Sequence, residues 1–188
     1  TQAVISLLDE RSVIPADRKQ TLLAAPTMFQ VARLVGDTLK EVIHSQAEEG
    51  QTAESTFGAT IIVGGQIRGM EPRLFLVYPE GNFIEASDET PFFQAGETKY
   101  GRPIILRAFD PAMSFEDAIK LLFVSFDSTL KANLAVGMPL DLHAYRIDTF
   151  ETGIQRRVPS DDPYFHALSS DCGRALKEAI DKLPDFTF

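Results

Sequence analysis

Cysteine is nearly missing from this sequence. Its 188 residues include one, Cys172, which excludes an intramolecular disulfide and a Cys-x-x-Cys metal site. Basic residues are scarce as well: 18 Lys and Arg stand against 27 Asp and Glu, a net charge of −9. A chain so acidic lacks the basic face that sequence-independent binding to nucleic acid requires. Long apolar runs are also lacking. None approaches the roughly 18–20 residues of a membrane helix, and the opening has no basic, apolar and small-residue order of a signal peptide. What the chain does have is 44% hydrophobic and 24% charged residues, enough to bury a full core. Length and composition predict one cytoplasmic α/β domain, residues 1–188, with no membrane partner.

Hydrophobic spacing predicts helices first. Ala3, Val4, Ile5, Leu7 and Leu8 fit a short, largely buried helix over Thr1–Arg11, with a strand not excluded by so short a run. Pro15 blocks its simple continuation. Thr27 and Gln30 form a capping-box pair ahead of Val31, Ala32, Val35, Leu39, Val42 and Ile43, and Gly50 sits where a C-terminal cap belongs.

The period then changes. Phe57–Gly65, β-branched and glycine-bounded, predicts a strand buried on both sides. Arg73–Tyr78 and Phe83–Ala86 flank Pro79-Glu80-Gly81-Asn82, a hairpin connection by its turn chemistry. Pro91–Ala95 predicts a further strand, giving a meander of about four. Helical spacing returns over Thr98–Phe109, where Pro103 is tolerated only near the first turn. Ser114 and Asp117 cap a stronger helix through Ala118, Ile119, Leu122, Phe123, Phe126 and Leu130. Leu140–Ile147 alternates like a strand, Asp148–Pro163 predicts a polar loop, and Tyr164–Leu183 an amphipathic helix. The order α–α–β–β–β–β–α–α–β–α shows no repeat or linker, and its lone sheet needs extra strands to cover its bare face.

The run Phe57–Tyr78 (FGATIIVGGQIRGMEPRLFLVY), followed by Pro79–Ala86 (PEGNFIEA), resembles the bacterial proteasome-like proteins called Anbu. This is an ancestral β-subunit type related to HslV and proteasome β subunits. Phe92–Pro103, Val124–Asn133 and Val136–Tyr145 extend the resemblance in order over essentially the whole chain. It implies an α+β fold of the N-terminal-nucleophile hydrolase type, a four-layer αββα sandwich with its first strands absent from this chain. It also implies homo-oligomeric rings or open ring-like stacks acting on peptides or unfolded proteins, without a cofactor or metal; no accessory partner is named by any docking motif.

The resemblance further implies a first-residue Thr, Ser or Cys whose own α-amine is the general base, held by an Asp and a Lys. It places all three upstream of Thr1. Thr1 itself opens a helix by its spacing, where a nucleophile should open a strand, and Asp9, Asp17 and Lys19 fall in a polar connection. Thr1 is therefore read as an ordinary residue rather than the catalytic threonine.

Five residues remain as accessory or cleft candidates. Gly96, Glu97, Thr98 and Lys99 stand at a predicted strand-to-helix junction, where the resemblance implies a small-residue loop against the nucleophile and where backbone N–H groups at a helix N-terminus can stabilise a developing oxyanion. Those relatives are serine- or glycine-rich here, so Glu97 and Thr98 are departures; the alternative is that they are first-turn residues, with Glu97 favoured by the helix dipole. Asn133 falls where the family pattern has a supporting aspartate, and Val136 where it has a serine. Asn133 is alternatively a helix C-cap. Asparagine hydrogen-bonds but carries no charge.

Other candidates carry less. His44, His143 and His166 show no metal-ligand spacing, and His143 fits a half-buried strand position. Cys172 fits a buried structural thiol, Gly64-Gly65 lacks a phosphate-loop lysine, and Asp161-Asp162 fits a solvated turn. The leading function is a peptidase subunit with an N-terminal nucleophile; the alternative is a non-catalytic scaffold or peptide-binding subunit of the same fold.

Overall fold

The structure is a computed structural model and describes residues 2–13, 21–48 and 58–188. Thr1, Pro15, Asp17, Lys19, Gly50 and Phe57 lie outside the described residues. Among those described, five α-helices and two small sheets make a mixed α+β chain divided into two compact units.

The first unit comprises residues 1–96 and 147–150. Its helices are α1 (Gln2–Val13) and α2 (Met28–Glu48), with a 3₁₀ turn at Leu22–Ala24 between them. The Thr21 hydroxyl caps that turn by accepting from the Ala24 N–H (3.2 Å). The capping box of α2 is half formed. Thr27 Oγ1 accepts from the Gln30 N–H (3.2 Å), but the buried Gln30 Oε1 has no partner, so the reciprocal bond is missing.

Strands β1 (Ile61–Gly65), β2 (Arg73–Val77) and β3 (Phe83–Glu85) form an antiparallel sheet in that order. Ile61 pairs with Val77, and Val77 with Phe83. The predicted turn closes the β2–β3 hairpin: the Gly81 N–H donates to Tyr78 O and the Tyr78 N–H to Asn82 O, both at 2.9 Å. Helix α2 packs on β2 and β3. Val4 and Leu8 of α1 meet Val35 and Leu39 of α2 over Val77, while Phe75 is enclosed with Met28 and Ala32. Each large side chain so buried contributes about 1.5–3 kcal/mol.

Three expectations fail here. β1 is not buried on both sides: its residues alternate between half-buried and exposed, because Ile61 and Val63 pack against the α1 and α2 core while Ile62, on the other face, is exposed. The fourth strand at Pro91–Ala95 is not formed, leaving a meander of three. Ser87 and Thr90 exchange backbone hydrogen bonds with each other (3.1 and 3.0 Å) in a closed turn, and Pro91 has no N–H to give a ladder. α1 also buries less than expected, with Ile5 and its neighbours exposed around Val4 and Leu8.

The second unit comprises residues 97–146 and 151–188. It holds α3 (Arg102–Ala108), α4 (Phe115–Ala132), β4 (Leu140–Ala144), β5 (Ile154–Val158) and α5 (Pro163–Ile180). The Ser114 cap accepts from the Asp117 N–H (3.1 Å) as the sequence predicts. Phe123, Leu140, Val158 and Phe165 make the core, with the Phe123 and Phe165 rings edge to face at 5.8 Å.

Four differences from expectation occur in this unit. α3 begins at Arg102 rather than Thr98, because residues 99–101 form a turn and Pro103 belongs in a first turn where no N–H is required. The apolar face assigned to α4 is split. Leu121, Ser125 and Thr129 are buried on one side and Phe123 and Asp127 on another, while Leu122 and Phe126 between them are exposed. The β4 strand stops at Ala144, short of Ile147. The polar loop Asp148–Pro163 contains β5, paired antiparallel with β4 from Leu140↔Val158 to Ala144↔Ile154. Gly153, at φ +74°, makes the return possible.

Asp162 is not a solvated turn residue. It is buried, caps α5 by accepting from the Phe165 N–H (2.9 Å), and pairs with Arg156 (2.7 Å). The Phe165 hydrogen bond, seconded by the Arg156 guanidinium, holds its carboxyl below the usual range against a smaller opposing effect of desolvation. Among the described residues no helix is long and apolar enough to cross a membrane.

Candidate functional site

The structure brings Glu97, Lys99 and Asn133 together. Gly96 has φ +81°, a left-handed conformation that suits glycine, and the chain then turns through Glu97–Gly101 before entering α3. This turn is fixed to α4 by two contacts. Ser128 Oγ donates to Tyr100 O (3.1 Å). Gly101 lies so close to α4 that a Cβ there would sit 2.4 Å from Ser125 Oγ. Thr98 is half-buried, and its carbonyl accepts from the Arg102 N–H (3.0 Å).

Glu97 uses both carboxylate oxygens. Oε1 accepts from the Lys99 N–H and Oε2 from Asn133 Nδ2, each at 2.8 Å. Asn133 in turn caps α4 in an extended conformation, its N–H donating to Thr129 O (2.9 Å). Its Oδ1 accepts from the Ala135 N–H (2.8 Å). Asn133 is thus both the predicted helix cap and a bridge to Glu97. A neutral amide at 133 acquires a charged partner from 97. Glu97 is neither at a strand-to-helix junction nor in the first turn of α3, since Pro91–Ala95 is no strand and α3 starts at Arg102. The Lys99 ammonium lies over the Tyr100 ring at 5.6 Å.

The remaining candidates stand apart. His143 is exposed, with Nε2 bonded to Thr152 O in the β4–β5 hairpin, and His166 Nε2 is bonded to Ser160 O (2.9 Å). His44 is exposed on α2. Among the described residues no three His, Cys, Asp or Glu side chains are grouped to hold a metal. Cys172 is half-buried rather than buried. A groove of about 650 Å³ along α3 and the first half of α4, lined by Ile104, Met113, Asp117, Lys120, Leu121 and Val124, was not signalled by the sequence. It ends at Val124, about 13 Å of helix before Asn133, so it is not the Glu97–Asn133 site.

In the first unit, Gln66 holds Asp148 by two bonds, Nε2 to Oδ1 (2.7 Å) and Asp148 N–H to Oε1 (2.8 Å). Arg68 lies over Phe150 at 4.3 Å. The glycine-rich GGQIRG stretch therefore ends in a loop clasp, and a pairing across so long a sequence separation left no local signal.

The architecture matches solved structures over its whole length. Anbu from Hyphomicrobium sp. strain MC1 is 46% identical to this chain, with a TM-score of 0.89 over 100% of this chain and 76% of that one. The chain belongs to the Anbu family. Anbu (ancestral beta-subunit) from Yersinia bercovieri is 38% identical, with a TM-score of 0.90 over 100% of this chain and 76% of that one. A helical assembly of the Anbu complex from Pseudomonas aeruginosa is also 38% identical, with a TM-score of 0.89 over 99% and 76%. No protein-family model matches the chain, and no curated protein does. Membership in the Anbu family makes this a proteasome-related subunit.

Proposed function

We propose that residues 1–188 belong to a single-domain, cytoplasmic, proteasome-type peptidase subunit. Its fold is the four-layer αββα sandwich of N-terminal-nucleophile hydrolases, working in a homo-oligomeric ring or open ring-like stack on peptides or unfolded proteins. Membership in the Anbu family, at 46% identity over the whole chain, carries this reading. The relative whose solved form is a helical assembly supports the oligomer.

The nucleophile and its Asp and Lys stand upstream of Thr1. α1 begins at Gln2, whereas a family nucleophile opens a strand. The α-amine takes the proton of the nucleophile's own hydroxyl or thiol as it attacks the peptide carbonyl and returns it to the leaving amine as the C–N bond breaks. Water, deprotonated by the same amine, then releases the acyl group as a carboxylic acid and the nucleophile regains its proton. This chemistry needs no cofactor. Within the present chain Gly96, Glu97, Thr98, Lys99 and Asn133 act as the accessory wall. Asn133 cannot supply the charge of the family aspartate, but Glu97 Oε2, 2.8 Å from its amide, brings a carboxylate to the same helix end. The departures at 97 and 133 thus compensate each other, which favours an active site over a decayed one.

The second reading is a non-catalytic scaffold or peptide-binding subunit of the same fold. Asn133 and Val136, in place of an aspartate and a serine, favour it. Fluorogenic-peptide hydrolysis by protein carrying its native N-terminus separates the two. The peptidase reading expects turnover, and a roughly 10- to 100-fold loss in Glu97→Gln from misplaced groups, with a comparable loss in Asn133→Asp, whose carboxylate cannot donate to Glu97 Oε2. Absence of turnover across a broad peptide set, with peptide binding intact, establishes the scaffold.

A further inference from the structure

Helix α4 sets three hydroxyl residues on an inward face where a core helix ordinarily sets carbon. Ser125, Ser128 and Thr129 share that face at i, i+3 and i+4, and Ser125 and Thr129 are 4% and 5% exposed. Hydroxyls so placed are costly unless bonded. Thr129 Oγ1 donates back to Ser125 O (3.0 Å), and Ser128 Oγ donates to Tyr100 O (3.1 Å). Against this face lies Gly101. A Cβ on it would stand 2.4 Å from Ser125 Oγ and 3.0 Å from both Ser125 O and Thr129 Oγ1, inside the contact distance of carbon and oxygen. Its backbone, at φ −86° and ψ −35°, is one that any residue adopts. The glycine is therefore there for space and not for conformation, and the small hydroxyl residues make that space.

The same face fixes both halves of the Glu97–Asn133 contact. Thr129 O accepts the Asn133 N–H (2.9 Å) at the end of α4, while the Thr129 and Ser125 side chains seat Gly101. From Gly101 the chain runs back to Glu97, whose Oε1 accepts from the Lys99 N–H and whose Oε2 accepts from Asn133 Nδ2, each at 2.8 Å. Gly101 O also accepts the first helical bonds of α3, from the Ile104 and Ile105 N–H groups (3.2 and 3.4 Å). The place of the Glu97 carboxylate is thus set by α4 itself, along the roughly 12 Å of helix from Ser125 to Asn133. A bulkier residue at 101 would push the turn off α4 and carry Glu97 away from Asn133. Loss of the Ser128 hydroxyl would loosen the same turn. Both residues act through Glu97, which makes them positioning residues.

We propose that Gly101 and the Ser125, Ser128 and Thr129 face of α4 position the Glu97 carboxylate against Asn133. The effect on turnover rests on the peptidase reading above; the seat itself does not. Two measurements on protein with its native N-terminus test it: amide hydrogen exchange over residues 97–102, and kcat and KM for a fluorogenic peptide. Gly101→Ala is expected to speed exchange at Lys99 at least tenfold. It should also lower kcat about tenfold with KM changed less than about twofold, helical circular dichroism being retained. Adding Ser125→Ala removes the overlap with Ser125 Oγ, and most of both losses should return. Ser128→Ala is expected to act in the same direction by about threefold, and decides the matter if Gly101→Ala does not fold. Ser128→Thr, which keeps the hydroxyl, should behave as the unaltered protein. Unchanged exchange in Gly101→Ala and Ser128→Ala would overturn the seat, as would a failure of Ser125→Ala to restore it. Faster exchange at unchanged kcat would overturn the positioning role. Protein that hydrolyses no peptide would overturn the peptidase reading instead, and exchange at Lys99 would still decide whether this face seats Glu97.

Discussion

The two sheets bury their strands in opposite ways. Phe75, Leu76 and Val77 of β2 are buried in a row, the middle strand of three under α2. In β5, Ile154 to Arg157 are all exposed and only Val158 reaches the core. The first strand is held by hydrophobic burial, the second by its ladder to β4, its Gly153 turn and the Asp162 cap that follows. A strand of ordinary length is thus specified either by its side chains or by its ends.

Substitutions on the two strands can break this contrast. Phe75→Ala removes a fully buried ring and is expected to cost about 3–5 kcal/mol, read from urea denaturation; a loss below 1 kcal/mol would mean β2 is not the core strand. Gly153→Val places a β-branched side chain at φ +74° with its Cβ 2.3 Å from Ala144 O, and a loss of about 2 kcal/mol or more is expected. Ile154→Ala, by contrast, should change stability by about 0.5 kcal/mol or less.

Asp162 adds a dependence on pH. Its carboxyl titrates below the unfolded range because the Phe165 N–H and Arg156 favour the charged form. The unfolded chain therefore takes up the proton first, so this contribution is complete above about pH 4, where unfolded aspartate is ionised. It is lost as the pH falls through the folded value. Asp162→Asn keeps a capping oxygen and should flatten that part of the curve in thermal unfolding; an unaltered acid slope would count against the assignment.

The same contrast explains what the sequence made legible. α2, α4, α5 and the β2–β3 hairpin were readable because apolar spacing, Ser114 and the Pro79–Asn82 turn all act over neighbouring residues. β5 was not, because Gln155, Arg156 and Arg157 face solvent and erase the period-two signal. Pro91–Ala95 misled in the other direction: its aromatics suggested a strand, while the Ser87–Thr90 turn and Pro91 left it unpaired. At the candidate site, family resemblance marked Glu97 and Asn133 separately. Their hydrogen bond joins positions 36 apart, a pairing that spacing cannot encode. Asp162 was read as a polar turn because the Arg156 that buries it belongs to the strand that was missed.

The proposed peptidase function requires an active subunit whose nucleophile precedes residue 1. N-terminal sequencing by mass spectrometry of the mature protein, purified from the cell that makes it, tests this most directly. The expected mature chain starts with Thr, Ser or Cys and carries an Asp and a Lys in the strands before Gln2. A mature start lacking all three would contradict it.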